Sequence, residues 1–464
     1  MILAKKDYFI GDKKFYKKVI AVVLPIIIQN TITNVVSLLD NVMVGRLGTV
    51  EMSSVAIINQ LIFVFNLCVF GAISGAGIFS TQYAGAKDHE GVRNCFRMKV
   101  LICLSVLLIS FMIFGFFSEQ LIGLYLAENT SAEDIVSTIT FGKEYLMIMM
   151  VGLIPFTISQ IYSSTMRELG ETKLPMYASA AAIFVNLLFN YFLIFGKCGF
   201  PKLGVTGAAI ATSMSRFVEL FIAVVATHRN KTRFAYIKGV YKSLRVPGKL
   251  SISIIKKGLP ILFNEFLWSL GMATLLQCYS VRGLEVVAAA NIASTINNLF
   301  NVVLIAMGSA IGILVGQCLG GDDVDGAKKT VWRMVVLGVV CCTCIGIVLI
   351  ALSGIIPHIY NTEAEVKHLA TSFLIVIAIM MPFSSLAHDS YFVLRSGGKT
   401  LITFLFDGGF MWLISVPVAF ILTRFTTMNV AGIYALVISF DLLKGIVGCV
   451  LLKKGVWISN IVKN

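Results

Sequence analysis

Twelve stretches of about 20 or more mostly apolar residues follow one another along this chain with short polar joins between them, and that recurrence leaves few folds open. At ~1.5 Å per residue a stretch of this length crosses a hydrocarbon layer as a helix, whereas a spanning strand needs only ~9–11 residues. In lipid every backbone polar group must be satisfied within the protein, so segments of this length can only be helices. The spans are predicted at 17–44, 53–83, 97–117, 138–166, 174–196, 204–227, 258–281, 286–316, 331–353, 366–394, 400–423 and 429–452. Composition agrees, with 57% hydrophobic and 13% charged residues and a mean hydropathy of +0.88. Such a chain cannot cover itself with a water-compatible surface. The fold class is therefore an all-α polytopic membrane protein rather than a string of soluble domains.

Lys and Arg outnumber Asp and Glu, 38 to 24. In a soluble protein this would suggest nucleic acid, but here the distribution decides. Basic residues gather in the N-terminal segment (Lys5, Lys6, Lys13, Lys14, Lys17, Lys18) and in the join from Arg229 to Lys257, whereas the join from Ser118 to Thr138 carries Glu119, Glu128, Glu133 and Asp134 and no Lys or Arg. That is a positive-inside pattern, which puts both termini in the cytoplasm and turns the basic segments toward lipid headgroups, with no nucleic acid involved. Ten cysteines are scattered mostly within spans, without metal spacing; Cys341, Cys342 and Cys344 read as packing. No short apolar region with a small-residue cleavage site precedes the first span, so that helix is expected to stay.

The chain repeats itself. An offset of 235 pairs Leu24 with Leu259, Pro25 with Pro260, Gly48 with Gly283, Ser74 with Ser309, and Gln82, Gly85, Asp88 and Gly91 with Gln317, Gly320, Asp323 and Gly326. Later the offset drifts, pairing Pro155 with Pro382, Arg167 and Gly170 with Arg395 and Gly398, and Val205 with Val430. Two copies of six spans predict an N-terminal lobe over 1–227, a basic cytoplasmic linker over 228–257 and a C-terminal lobe over 258–464. An even number of spans per copy makes the lobes parallel, related by a pseudo-twofold axis along the membrane normal.

Polar groups within spans are costly, so they mark function first. Span one carries Asp40, with Asn30, Thr33 and Ser37 on the same helical face as candidate cavity-lining residues. Asn186 and Asn190, one turn apart in span five, and Thr212 in span six share the depth of Asp40, so these four can form a proton or hard-cation site. In the second copy Glu265, beside Asn264, and Asp407 bring like charges to one depth, which calls for a proton or a cation between them; Lys444 is the candidate partner. Arg216 and Glu219 align with Asp441 and Lys444, an i, i+3 pair in each copy with signs reversed. Asn291 and Asn298 are further candidate lining residues, and Pro25 is a candidate hinge. Phe263, Phe266, Trp268 and Met272 suit a soft cavity for amphipathic cations.

Leu24-Pro25, Asp40 with Met43-Val44-Gly45, Leu47-Gly48-Thr49, Gln82-Tyr-Ala-Gly85, Arg167-Glu-Leu-Gly170, the stretch from Asn186 to Gly196 and Gly204-Val-Thr-Gly-Ala-Ala-Ile-Ala-Thr212 together resemble the multidrug and toxic compound extrusion (MATE) family. The resemblance covers nearly the whole chain. It implies an antiporter that exports organic, often cationic and amphipathic, compounds in exchange for H+ or Na+, with no other cofactor, acting as a monomer in the cell membrane, in keeping with a bacterial inner membrane. In an archaeal-like branch of the family the position matching Asn190 is acidic. The amide here argues against direct sodium binding and makes a protonatable Asp40 the simpler motor, while Na+ at Asp40, Glu265 or Asp407 stays open. The alternative is a lipid-linked oligosaccharide flippase of the same superfamily, in which several basic residues would line the cavity; here the span interiors offer mainly Arg216 and Lys444. A major-facilitator transporter would need a basic motif that 84–91 lacks. An intramembrane enzyme would need a nucleophile or metal cluster, and His388-Asp389 reads as an isolated pair near a helix end.

Overall fold

The computed structural model describes residues 8–126, 132–360 and 362–463; Lys5, Lys6 and Glu128 lie outside them. Among the described residues there are twelve membrane-length helices and no strand. In chain order they are α1 (Lys13–Gly45), α2 (Thr49–Gly85), α3 (His89–Gly123), α4 (Ala132–Glu168), α5 (Lys173–Phe195), α6 (Gly204–Arg229), α7 (Gly248–Ser280), α8 (Leu284–Gly320), α9 (Val324–Ser353), α10 (Ala364–Ser396), α11 (Thr400–Phe425) and α12 (Val430–Lys453). Each predicted span falls on one helix. The helices mostly overrun the apolar stretches, because a backbone that has begun hydrogen bonding in lipid continues through polar turns beyond it. The largest difference is α7, which starts ten residues before the apolar run and takes in the end of the predicted linker.

The duplication is visible in local geometry. Pro25, Pro155, Pro260 and Pro382 sit inside α1, α4, α7 and α10, the repeat-related helices, where each removes an internal hydrogen bond and permits a bend. Lys87 and Asp322, one repeat apart, both adopt left-handed backbone at φ 58°. Asp323 then caps α9, accepting from Gly326 N at 2.8 Å. α11 departs from its counterpart α5 by two π-helical turns, Leu405–Gly409 and Met411–Ser415, the first of which carries Asp407.

The chain divides into two packed units. The N-unit holds Ile28–Ser80 and His89–Ile252, and the C-unit holds Met1–Ile27, Thr81–Asp88 and Ser253–Asn464. α1 and α2 therefore each contribute to both. Within the C-unit, Val19, Val22, Val23 and Ile26 of α1 are buried with Met307, Leu314, Val331 and Val393. The repeated Gln-x-x-Gly motifs meet there: a Cβ on Gly85 would strike the backbone of Gln317, and one on Gly320 would strike the backbone of Gln82. Only glycine permits that approach. Gln82 also ties in the C-terminal segment, donating to the carbonyls of Ser396 and Ser459 at 3.0 and 3.1 Å and accepting from Ile461 N at 2.8 Å.

In the N-unit the segment after α6 is folded rather than loose. Phe234, Tyr236, Ile237 and Val240 are buried, and Arg93 and Arg97 of α3 donate to the carbonyls of Tyr236, Gly239 and Val240 at 2.9–3.0 Å. The Tyr162 hydroxyl adds bonds to Tyr241 and His228. Burial pushes the Tyr236 phenol above its ordinary range.

Candidate functional site

Asp40 lies on the C-terminal part of α1, five residues before the helix ends. α5 places Asn186 and Asn190 one turn apart, and both are buried. Asn190 Nδ2 donates to Asp40 Oδ1 at 2.7 Å. With its amide nitrogen facing the carboxylate, Asn186 donates to both Asp40 oxygens at 3.1 and 3.2 Å and accepts from Thr212 Oγ1 at 3.2 Å; this orientation satisfies groups that the reverse one leaves facing like partners. The four residues expected to share a depth therefore form one hydrogen-bonded cluster. Asn190 Oδ1 has no donor among the described residues, and Asp40 has no ion-pair partner among them. A carboxylate met by amides alone keeps its charge uncompensated, and a proton or a cation is what would balance it.

A second N-unit network runs beside the first. Arg167 Nη2 donates to Gln29 Oε1 at 2.9 Å, Gln29 Nε2 to Ser179 Oγ at 2.6 Å, and Ser179 Oγ to Glu219 Oε1 at 2.6 Å. Next to Arg167, Glu168 takes both oxygens to Lys99 Nζ at 2.7 Å, and Lys99 also donates to Ser164 and Thr165. Lys99 is completely buried. The i, i+3 pair read from spacing does not form in this unit: Glu219 turns to Ser179, and Arg216 is not within ion-pair distance of it.

In the C-unit the acids are separated rather than shared. Lys444 Nζ lies 2.9 Å from Asp407 and 3.8 Å from Asp441, and Ser384 donates to Asp441 at 2.6 Å. Asn264, buried at the centre, donates to Asp407 at 3.2 Å and to the Tyr391 hydroxyl at 3.3 Å, and accepts from Gly408 N at 2.9 Å. Glu265 takes a different partner from the one expected. Tyr391 donates to it at 3.2 Å and Arg395 stands 3.9 Å away. Tyr391, Arg395 and Ser384 are members that the sequence reading missed; Arg395 had a signal, since it repeats Arg167. His388 and Asp389 sit within α10, not at its end. The fully buried Asp389 is held by Ser385 at 3.3 Å.

The remaining candidates are placed separately. Pro25 is buried. Asn30 is half-buried, while Thr33, Ser37, Asn291 and Asn298 are exposed side chains; Thr33 bonds back to the Gln29 carbonyl at 2.9 Å. Phe263, Phe266, Trp268 and Met272 are exposed on α7. Trp412, in the second π turn of α11, donates to the Leu267 carbonyl at 2.8 Å.

Twelve membrane-length helices with buried, networked acids and bases in both repeats define a multi-pass membrane protein built to hold charge within the bilayer. The chain belongs to the MatE family, whose model matches it twice, over residues 25–192 and 260–421. The two matches begin at Pro25 and Pro260, a pair that the internal repeat aligns. A probable multidrug resistance protein NorM from Thermotoga maritima is 24% identical over 427 residues, covering 90% of this chain and 87% of the relative. One of the same name from Bacillus cereus is 27% identical over 421 residues, covering 90% of each. The fold is shared with the Vibrio cholerae MATE transporter VcmN, seen as an Asp-to-Asn mutant, at a TM-score of 0.86 and 15% identity over 97% of this chain and 99% of that one.

Proposed function

We propose that this protein is a secondary antiporter that exports organic, chiefly cationic and amphipathic, compounds in exchange for H+ or Na+, by alternating access of its two repeats. It acts as a transporter and not as an enzyme, as a monomer with both termini in the cytoplasm of a bacterial cell. Family membership and the naming of its relatives as multidrug resistance proteins support the substrate class. The observation that carries the coupling is the Asp40 cluster, an acid bonded only to neutral amides through Asn186 and Asn190. A proton there neutralises the carboxylate and releases a bound cation; loss of the proton restores the attraction. In the C-unit, Glu265, Asn264, Asp407 and Lys444 form a second charge-bearing locus that takes the cation or part of the substrate.

The test is efflux of a fluorescent amphipathic cation from proteoliposomes under an imposed proton gradient and, separately, an imposed sodium gradient. Wild type should respond to one of them, and Asp40→Asn should abolish the response. A well-expressed Asp40→Asn protein transporting at the normal rate would reject the reading.

A further inference from the structure

Asp389 is a buried acid that the proposed mechanism leaves unused. It lies within α10 and, like Ser385 one turn before it, is sealed from solvent. The Ser385 hydroxyl reaches Asp389 Oδ2 at 3.3 Å, and Oδ1 has no partner among the described residues. No cation stands within ion-pair distance of it among them. The carboxyl faces α9, where Gly338 makes room for it: a Cβ there would strike Asp389 Oδ2 and the Ser385 hydroxyl.

The surrounding helices bring this niche nothing that balances an anion. From α9 come the thiols of Cys341 and Cys342, the latter bonded to Ser385. α12 turns Gly448 to Ser390, and its Asp441 and Lys444 are taken up by Ser384 and Asp407. The ionisable side chains of α8, Glu285 and Cys318, lie in its first and last turns. On α10 itself, the neighbouring His388 has Asp407, Lys444 and Arg395 in electrostatic reach. An ionised carboxyl with one long hydrogen bond and no counter-charge bears the full cost of leaving water, a cost that the neutral form avoids. In this conformation the group therefore holds its proton.

The other repeat shows that the place itself needs no acid. The spacing that pairs Arg167 with Arg395 sets Ile161 against Asp389, and the 235 offset sets Cys103 against Gly338; both are buried. One repeat fills the position with a branched alkyl group, and the other clears a niche and puts an acid in it. An acid kept within a span against that cost marks function. One carboxyl and one hydroxyl supply too few oxygens for a hard cation, so the ligand that fits is a proton.

We propose that Asp389 is a proton-binding site of the C-unit, separate from Glu265 and Asp407, filled in this conformation and emptied during the transport cycle. Emptying passes the carboxyl proton to water admitted between α9 and α10 and leaves a carboxylate that this water solvates; refilling reverses the step. The inference rests on the antiporter reading and adds an exchanged proton that Asp40 does not account for.

The test counts protons released per bound tetraphenylphosphonium, with a pH indicator in lightly buffered detergent solution, for wild type, Asp389→Asn and Asp389→Ile. Asparagine keeps the shape without the proton, and isoleucine restores the residue of the other repeat. Both variants should bind the probe yet release about one proton fewer than wild type. In the infrared, wild type should lose a protonated-carboxyl band when the probe binds, and the variants should lack that part of the change. Release equal to wild type in either variant overturns the proposal, as does a wild-type carboxyl spectrum that the probe leaves unaltered, a measurement that needs no variant to fold. Wild type that neither binds the probe nor carries it under either gradient overturns the antiporter reading itself, and the proposal with it.

Discussion

Gln29 of α1 donates to Ser179 of α5 at 2.6 Å, and Asn264 of α7 donates to Asp407 of α11 at 3.2 Å; these are the same two places in the two repeats. The 235 offset carries Gln29 onto Asn264, and the spacing that pairs Arg167 with Arg395 pairs Ser179 with Asp407. Each tether ends on the last helix of its repeat, at Glu219 in one and Lys444 in the other, positions that also align. Duplication has kept the tether and inverted its charge. The C-unit locus is therefore the counterpart of the Gln29 network and not of the Asp40 cluster.

Replacing Gln29 by Leu should break the N-unit tether at its centre. Ser179 and Arg167 would each lose a buried partner, at a cost of about 1–3 kcal/mol. Thermal unfolding of the purified protein in detergent should show the drop, and a midpoint matching wild type would remove the tether's structural role.

Lys99 and Glu168 should behave as a unit. Removing one charge strands the other in the interior, costing about 3–5 kcal/mol, whereas the double replacement Lys99→Met with Glu168→Gln should recover most of the loss. Equal instability of the double variant and either single variant would contradict a pairwise role.

Gly85→Ala and Gly320→Ala should each destabilise by about 1–3 kcal/mol through overpacking against the opposed glutamine backbone. Gly115, in α3 with nothing within 4 Å of an added Cβ, is the control. There alanine should be neutral or stabilising by up to about 1 kcal/mol.

Lys444→Met leaves Asp407 with Asn264 as its remaining bonded partner, and Asp407→Asn removes the charge that holds Lys444. Transport by either variant, and by Glu265→Gln, should fall at least about 10-fold or change its dependence on sodium. Unaltered rates and sodium dependence in all three would remove the C-unit locus from the mechanism.

The helices and the repeat were legible because hydropathy and spacing survive in the sequence with little interference from context. Asp40, Glu265, Asp407 and Lys444 were legible because a charge in an apolar run is conspicuous. Lys99 was not: it follows Arg93 and Arg97 at the start of its span and reads as the last cytoplasmic cation, while the Glu168 that buries it lies 69 residues away. Arg216 and Glu219 misled for the opposite reason, since i, i+3 spacing suggests a pair on a bare helix, but the Ser179 hydroxyl on α5 supplies a competing partner. Tyr391 looked like one more aromatic in an apolar helix. The segment after α6 hid its buried Phe234, Tyr236, Ile237 and Val240 among lysines and arginines.

The division of α1 just past Pro25 bears on how the protein is made. α1 packs part of its surface through Val19, Val22, Val23 and Ile26, whose neighbours reach as late in the chain as Val393 and Leu452. Those neighbours lie on α8, α9, α10 and α12, so this part of α1 stays incompletely packed in the bilayer until the second repeat has been inserted. Contacts so distant in sequence slow final assembly. They also make it a check on completeness, because a chain cut short before the eighth helix leaves Val19, Val22, Val23 and Ile26 without the cluster that Met307, Leu314, Val331 and Val393 complete.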